Sequence, residues 1–139
     1  MAEGKELVLV IVDTSVWVDF FRGRDTGQVR KLERLLAESE DICICGIILT
    51  EVLQGIRSGS EYARTLSPFN AFLFLGMTKD TFVKSAQIYR GLRRRGVTVS
   101  KPVDCTIAAA AIEHKVPLLH NDSDFDQIKR YSGLRVVEV

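Results

Sequence analysis

The chain predicts an α/β fold, a three-layer α/β/α sandwich around a mainly parallel sheet of four to five strands. Three observations predict it. Short aliphatic runs alternate with helical patterns from one end to the other. The first run, Leu7 to Val12, is uninterrupted, as in a parallel strand covered on both faces. Near the other end, the segment DCTIAAAAIEH, Asp104 to His114, carries side chains small enough to pack closely against a sheet.

The elements follow in order. After strand one ends at Asp13, Thr14-Ser15 can cap a short aromatic helix, Val16 to Phe21, which Gly23 stops. From Gln28 to Ser39, Val29, Leu32, Leu35 and Leu36 recur at three- and four-residue steps with charges on the opposite face, an amphipathic helix. Asp41 to Cys45 is a second strand. A helix over Ile47, Ile48, Leu49, Val52, Leu53 and Ile56 carries Glu51 in its middle, and Ser60 to about Leu66 continues as helix until Pro68 interrupts it. Phe72 to Met77 is the third strand. Lys79 to Arg95 is the longest helix, closed by Gly96. After Pro102 come the alanine-rich helix, strand four over Pro117 to His120, a polar turn over Asn121 to Asp124, a helix over Phe125 to Tyr131 and a closing strand over Leu134 to Val139.

At 139 residues one domain over 1–139 is expected, with residues 1–6 as a flexible N-terminal extension. A formal charge of +1, from 19 basic and 18 acidic residues, excludes a globally basic nucleic-acid binder, so any such partner must be read from local charge. The opening apolar run falls well short of the ~20 residues that span a bilayer, and no export signal precedes it, so no membrane partner is expected. Cys43, Cys45 and Cys105 form an odd set; on a strand the C-x-C spacing turns both thiols to one face as small apolar groups. A reducing cytoplasm is the expected location.

The chemistry lies in the acids. Taken singly, Asp13 reads as a helix cap or surface acid, Glu51 as a solvated helix residue, Asp104 as the N-cap of its helix, and Asp122 and Asp124 as turn formers. Taken together they are harder to dismiss. In open parallel sheets ligands bind beyond the carboxyl ends of the strands, where the strand order reverses, and the expected topology sends acids from four distant segments toward that edge. Close carboxylates repel and raise one another's pKa unless a cation is present, and Mg²⁺ or Mn²⁺ prefers carboxylate oxygens. Such an ion polarises phosphoryl oxygens and acidifies water.

Three segments, VDTSVWVDFF, TEVLQG and GLRRRGVTVSKPVDCTIAAAAIEHKVPLLHNDSDFDQI, match a known family in order and spacing along the length of the chain. The chain resembles PIN-domain ribonucleases, specifically the VapC-type toxins of bacterial and archaeal toxin–antitoxin modules. In that family the motif acids correspond to Asp13, Glu51, Asp104 and Asp122, with Asp124 joining the metal shell and a hydroxyl of Thr14 or Ser15 assisting; Asn121 falls in the same supporting set. The resemblance implies cleavage of RNA by a metal-activated water, with 5′-phosphate and 3′-hydroxyl products. It also implies a homodimer and a cognate antitoxin that places a basic side chain in the acidic pocket. On this reading Asp13 and Asp104 are direct ligands, Glu51 and Asp122 ligate or orient the attacking water, and Asp124 serves a second metal or the outer shell.

Arg90, Arg93, Arg94 and Arg95, followed by Lys101, make a dense basic cluster. Arg93, Arg94, Arg95 and Lys101 can grip RNA phosphates beside the metal, or the arginines can simply offset the helix macrodipole. His114 and His120 are too isolated for an acid–base pair and are read as structural, and Trp17, Phe20 and Phe21 as core or dimer contacts. Receiver domains and haloacid-dehalogenase-type phosphatases fit less well, because Asp13 is followed by Thr14-Ser15 and lacks both an adjacent acid and a D-x-D pattern. The remaining alternative is a catalytically silent PIN-like module that binds RNA or protein.

Overall fold

The structure, a computed structural model, describes residues 9–38 and 41–139. The expected extension over residues 1–6, the first two residues of the expected opening strand and Ser39 lie outside the described residues. The elements are β1 (Val10–Val12), α1 (Thr14–Phe21), α2 (Gly27–Ala37), β2 (Ile42–Cys45), α3 (Gly46–Gln54), α4 (Gly59–Phe69), β3 (Leu73–Leu75), α5 (Lys79–Arg94), α6 (Val103–Glu113), β4 (Leu118–Leu119) and α7 (Ser123–Tyr131).

The strands form one parallel sheet in the order β3-β2-β1-β4. Ile11 lies between Cys43 on one side and Leu118 on the other, so β1 is central. The chain steps outward from β1 to β3 and then returns past β1 to β4. Right-handed crossovers put the outgoing and returning helices on opposite faces. The helix contacts agree: α1 packs on α2 and α3, and α3 on α4, while α5, α6 and α7 pack on one another. This is the three-layer sandwich, and its strand order reverses between β1 and β4.

Burial explains why the strands are continuously apolar. Val10, Ile11 and Val12 are buried, as are Ile42 to Cys45, including both thiols of the C-x-C pair, and Leu118 and Leu119. A strand covered on both faces has no solvent side to mark with polar residues. The helix α6 is buried all round at Cys105, Ile107, Ala108, Ala109, Ala110 and Ala111, and Ser85 of α5 hydrogen-bonds Thr106 at 2.8 Å across its contact. Gly96, at φ +75°, ends α5: its N–H donates to Arg93 O and that of Val97 to Leu92 O, the left-handed C-terminal motif that glycine adopts without strain.

Four expectations are corrected. The segment Leu134 to Val139 is not a strand; it makes one parallel bridge, Val136 to Leu118, because β4 is only two residues long and offers little to pair with. Pro68 does not interrupt α4 but sits in its last turn, where it forgoes the bond its N–H would make to the carbonyl four residues back and only Phe69 follows it in the helix. Helix α1 begins at Thr14 and is capped by Asp13, whose side chain accepts from Ser15 N, rather than by Thr14-Ser15. Asp104 is not the cap of α6: Pro102 occupies that position, and Asp104 lies inside the first turn. Among the described residues no helix is long and apolar enough to cross a membrane.

The tight seat of α6 gives a stability prediction. Ala108→Leu forces a larger side chain into a fully buried position and is expected to cost about 1–3 kcal/mol, read as a lower urea midpoint at unchanged slope.

Candidate metal centre and active site

The crevice beyond β1 and β4 collects the acids. Asp13 directly follows β1 and Asp122 follows β4 with two residues between, so the strand-order reversal places them side by side. A cavity of about 380 Å³ there is lined by Asp13, Thr14, Ser15 and Asp19 from the start of the chain, Glu51 from α3, and Lys101, Asp104 and Asn121. Behind it, Asp104, Asp122 and Asp124 each offer a carboxylate oxygen within 4.8 Å of the others. Asp104 belongs to both groups and joins them. All five sequence-predicted acids therefore meet at one edge of the sheet, in two overlapping sets.

Each carboxylate except one is tied by hydrogen bonds. Asp13 Oδ2 accepts from Ser15 N at 3.0 Å and from Ser15 Oγ at 2.7 Å. Thr14 Oγ1 donates to Glu51 Oε1 at 2.7 Å, so the hydroxyl pair divides its work between the two acids. Asp122 caps α7, accepting from Asp124 N at 3.0 Å, and its other oxygen lies 3.2 Å from Lys101 Nζ. Asp124 Oδ2 accepts from Ser100 N at 2.9 Å and Ser100 Oγ at 2.6 Å. The exception is Asp104. Its residue is 3% exposed, and its Oδ2 is buried without a hydrogen-bond partner.

The electrostatics follow from that isolation. Burial, with Asp13, Asp122 and Asp124 nearby, pushes the Asp104 carboxyl from 3.8 up to about 7, against the pull of Lys101. Partial burial works against ionisation of Asp122, but the Asp124 N–H and Lys101 outweigh it and hold that carboxyl low. Burial likewise opposes the Lys101 charge, yet Asp122, Asp104 and Asp13 raise its pKa. Burial holds His120 below its usual value; its Nδ1 accepts from Asp122 N, which orients the backbone of the acidic turn.

A hard divalent cation fits this donor set. Carboxylate oxygens close together, the one from Asp104 buried and unpaired, are what Mg²⁺ or Mn²⁺ coordinates and what no neutral ligand would offset.

Other sequence-stated residues divide. Thr14, Ser15, Asn121 and Lys101 line the cavity. Arg93, Arg94 and Arg95 do not; Arg93 lies over the Tyr89 ring and Arg95 over Tyr131. His114 donates to or accepts from nothing in the crevice and instead meets Gly76 O at 2.8 Å. Trp17 is 2% exposed and packs on Phe20, Phe21, Phe69 and Phe72, so it is core.

Three charged cavity residues escaped the sequence reading: Asp19, Arg22 and Arg24. A signal for Asp19 was present, since it is an acid inside an apolar helix, four residues after Ser15 and hence on the same face. The arginines gave none, because two cations after a helix read as ordinary surface.

Comparison with known proteins agrees with the geometry. The PIN-domain family profile matches residues 10–131, and the chain belongs to that family. Within it, the similarity is to the VapC group. The chain is 35% identical over 129 residues to the VapC11 ribonuclease of Mycobacterium tuberculosis, covering 91% of this chain and 96% of the relative. It is 30% identical over 136 residues to the VapC1 ribonuclease of Methanocaldococcus jannaschii, covering 96% and 90%. In fold it is similar to VapBC2 from Rickettsia felis bound to a promoter DNA fragment, with a TM-score of 0.72 at 20% identity over 94% of this chain and 98% of that one.

The raised carboxyl gives a pH prediction for the metal-free chain. Between 3.8 and about 7 the folded state holds an Asp104 proton that the unfolded chain has released, so this group's contribution to stability falls as pH rises through that window and levels off above it. Asp104→Asn should remove that slope and melt higher than the wild type at pH 8 in EDTA. Added Mn²⁺ should raise the melting temperature of the wild type and leave that of the variant nearly unchanged.

Proposed function

We propose that the chain is a metal-dependent ribonuclease, with Asp13, Glu51, Asp104 and Asp122 as its catalytic acids. Asp13, Asp104, Asp122 and Asp124 are its ligands for Mg²⁺ or Mn²⁺. The observation that carries the reading is the buried, unpartnered Asp104 oxygen set among facing acids. Burial first, and then the neighbouring acids, hold the Asp104 carboxyl up at about 7, and a cation bound there would offset both. The ribonuclease names of relatives at 30–35% identity support the same reaction.

When bound, the ion supplies charge for the phosphoryl oxygens and makes water more acidic. The remaining work belongs to the chain. Ser15 holds the Asp13 carboxylate by two hydrogen bonds, so this ligand needs no reorganisation when RNA arrives. Thr14 fixes Glu51 at the cavity wall, where the glutamate orients the attacking water and takes its proton. Lys101, half in water beside Asp122, offers positive charge to a phosphate at the rim. Neither histidine lines the cavity, so acid–base work falls to carboxylates.

For its place in the cell we propose the toxin of a type II toxin–antitoxin pair, cytoplasmic, a homodimer, neutralised by a cognate antitoxin, with the whole chain acting as one PIN-like unit; the fold likeness to toxin–antitoxin complexes supports the antitoxin partner. Three free buried cysteines support a reducing compartment. Large apolar side chains left exposed at Leu73, Phe74, Phe82 and Val83 support a protein partner or second copy.

The test is cleavage of total RNA by the purified chain. Activity with Mg²⁺ or Mn²⁺, abolished by EDTA and reduced at least ~100-fold by Asp13→Asn or Asp104→Asn, is expected. Full activity in EDTA would remove the mechanism. Expression of the wild type should arrest growth and that of Asp104→Asn should not; a silent binding module would treat the two alike.

A further inference from the structure

The cavity wall holds a hydrogen-bonded chain that runs on from the acids to the rim. Asp19 lies on α1 one turn beyond Ser15 and is 9% exposed. Its Oδ2 accepts from Asn121 Nδ2 at 3.2 Å, and its Oδ1 accepts from Arg24 Nη1 at 3.3 Å. Asn121 N in turn donates to Ser15 Oγ at 3.0 Å, and Ser15 Oγ donates to Asp13. The residue after β1, helix α1, the turn after it and the loop after β4 are thus joined in one line, from Asp13 to an arginine on the rim.

The turn that brings Arg24 back is built for that contact. Gly23, at φ +70°, reverses the chain at the end of α1, and Arg24 N donates to Asp19 O at 2.9 Å. Backbone and side chain of Arg24 therefore both return to Asp19. The guanidinium carries five N–H donors in a fixed fork, and Asp19 takes one of them in this structure. The Arg24 side chain remains 59% exposed while that of Asp19 is 12% exposed, so the cation faces solvent from a buried anchor.

We propose that Arg24 binds an RNA phosphate adjoining the scissile one and that Asp19 is its positioning residue, also setting the Asn121 carboxamide on the cavity wall. A planar, anchored guanidinium suits a phosphate better than a free surface lysine because less side-chain freedom is lost on binding. The inference rests on the ribonuclease reading, since it needs RNA as the ligand.

Asp19 makes the test a matter of sign. Replacing it by Asn removes a negative charge from the wall of an RNA site, and by charge alone RNA would then bind more tightly. Positioning demands the opposite. The probe is a fluorescent single-stranded RNA, titrated in EDTA between 50 and 200 mM salt, with melting temperatures recorded to confirm folded protein. Arg24→Ala, an exposed change, should weaken binding severalfold and lower the slope of log affinity against log salt by about 0.7, one single-strand phosphate contact. Asp19→Asn should weaken RNA binding too, and in Mn²⁺ raise KM more than it lowers kcat. The proposal is overturned if Arg24→Ala keeps the wild-type affinity and slope, or if Asp19→Asn tightens binding. A wild type that neither binds RNA in EDTA nor cleaves it in Mn²⁺ overturns the ribonuclease reading itself, which separates the two failures; if it cleaves in Mn²⁺ without binding in EDTA, an Arg24→Ala KM equal to that of the wild type overturns the proposal.

Discussion

The buried carboxylate of Asp104 is the constraint around which the rest of this structure is arranged. A carboxylate in a nearly dry setting, with other acids facing it and one oxygen unpaired, is unfavourable in the absence of a counter-charge. The fold tolerates it because the surrounding groups are rigid. Asp104 stands in the first turn of α6, a helix packed so closely by its alanines that the turn has little room to swing outward. Around it, Ser15, Thr14 and Ser100 use their donors on Asp13, Glu51 and Asp124 and send none to Asp104. The arrangement leaves a hole in the charge balance that fits a cation.

Topology supplies the convergence. The reversal of strand order between β1 and β4 leaves a gap at the carboxyl edge that no crossover helix covers, and residues following both strands open into it. Asp13 and Asp122 each cap the helix that follows, and each still stands at the crevice. A cap uses a carboxylate as an acceptor without neutralising it, and the negative charge remains available to the crevice. Asp104 differs, and the difference matters: relieved of any capping role, its carboxyl has no structural task in the described contacts.

Positive charge sits around this crevice in three manners. Lys101 reaches in and pairs with Asp122. Arg24 is held at the wall by Asp19, and Arg22 lines the same cavity. Arg93 and Arg95 rest over tyrosine rings away from it. The densest run of arginine in the chain is therefore not the one nearest the acids: Arg93 lies along α5 itself and Arg95 against Tyr131 of α7. A near-neutral protein presents a locally mixed field at its site, with cations at the rim and acids within.

The sequence by itself determined the layer architecture, which acids stand as candidates and most of the elements, because each depends on local periodicity or on a short motif. Aliphatic runs without polar alternation mark strands buried on both faces, and Gly96 marks a helix end through a backbone angle only glycine takes freely. Tertiary structure alone decided which acid lacks a partner, which cations reach the crevice, and that Leu134 to Val139 makes one bridge rather than a strand. Those outcomes depend on residues far apart in the chain: Asn121 meeting Asp19, Ser100 meeting Asp124, Lys101 meeting Asp122. A hydrogen bond across a hundred residues leaves no periodic trace, since its geometry is set by how whole elements pack and not by the spacing of its two ends.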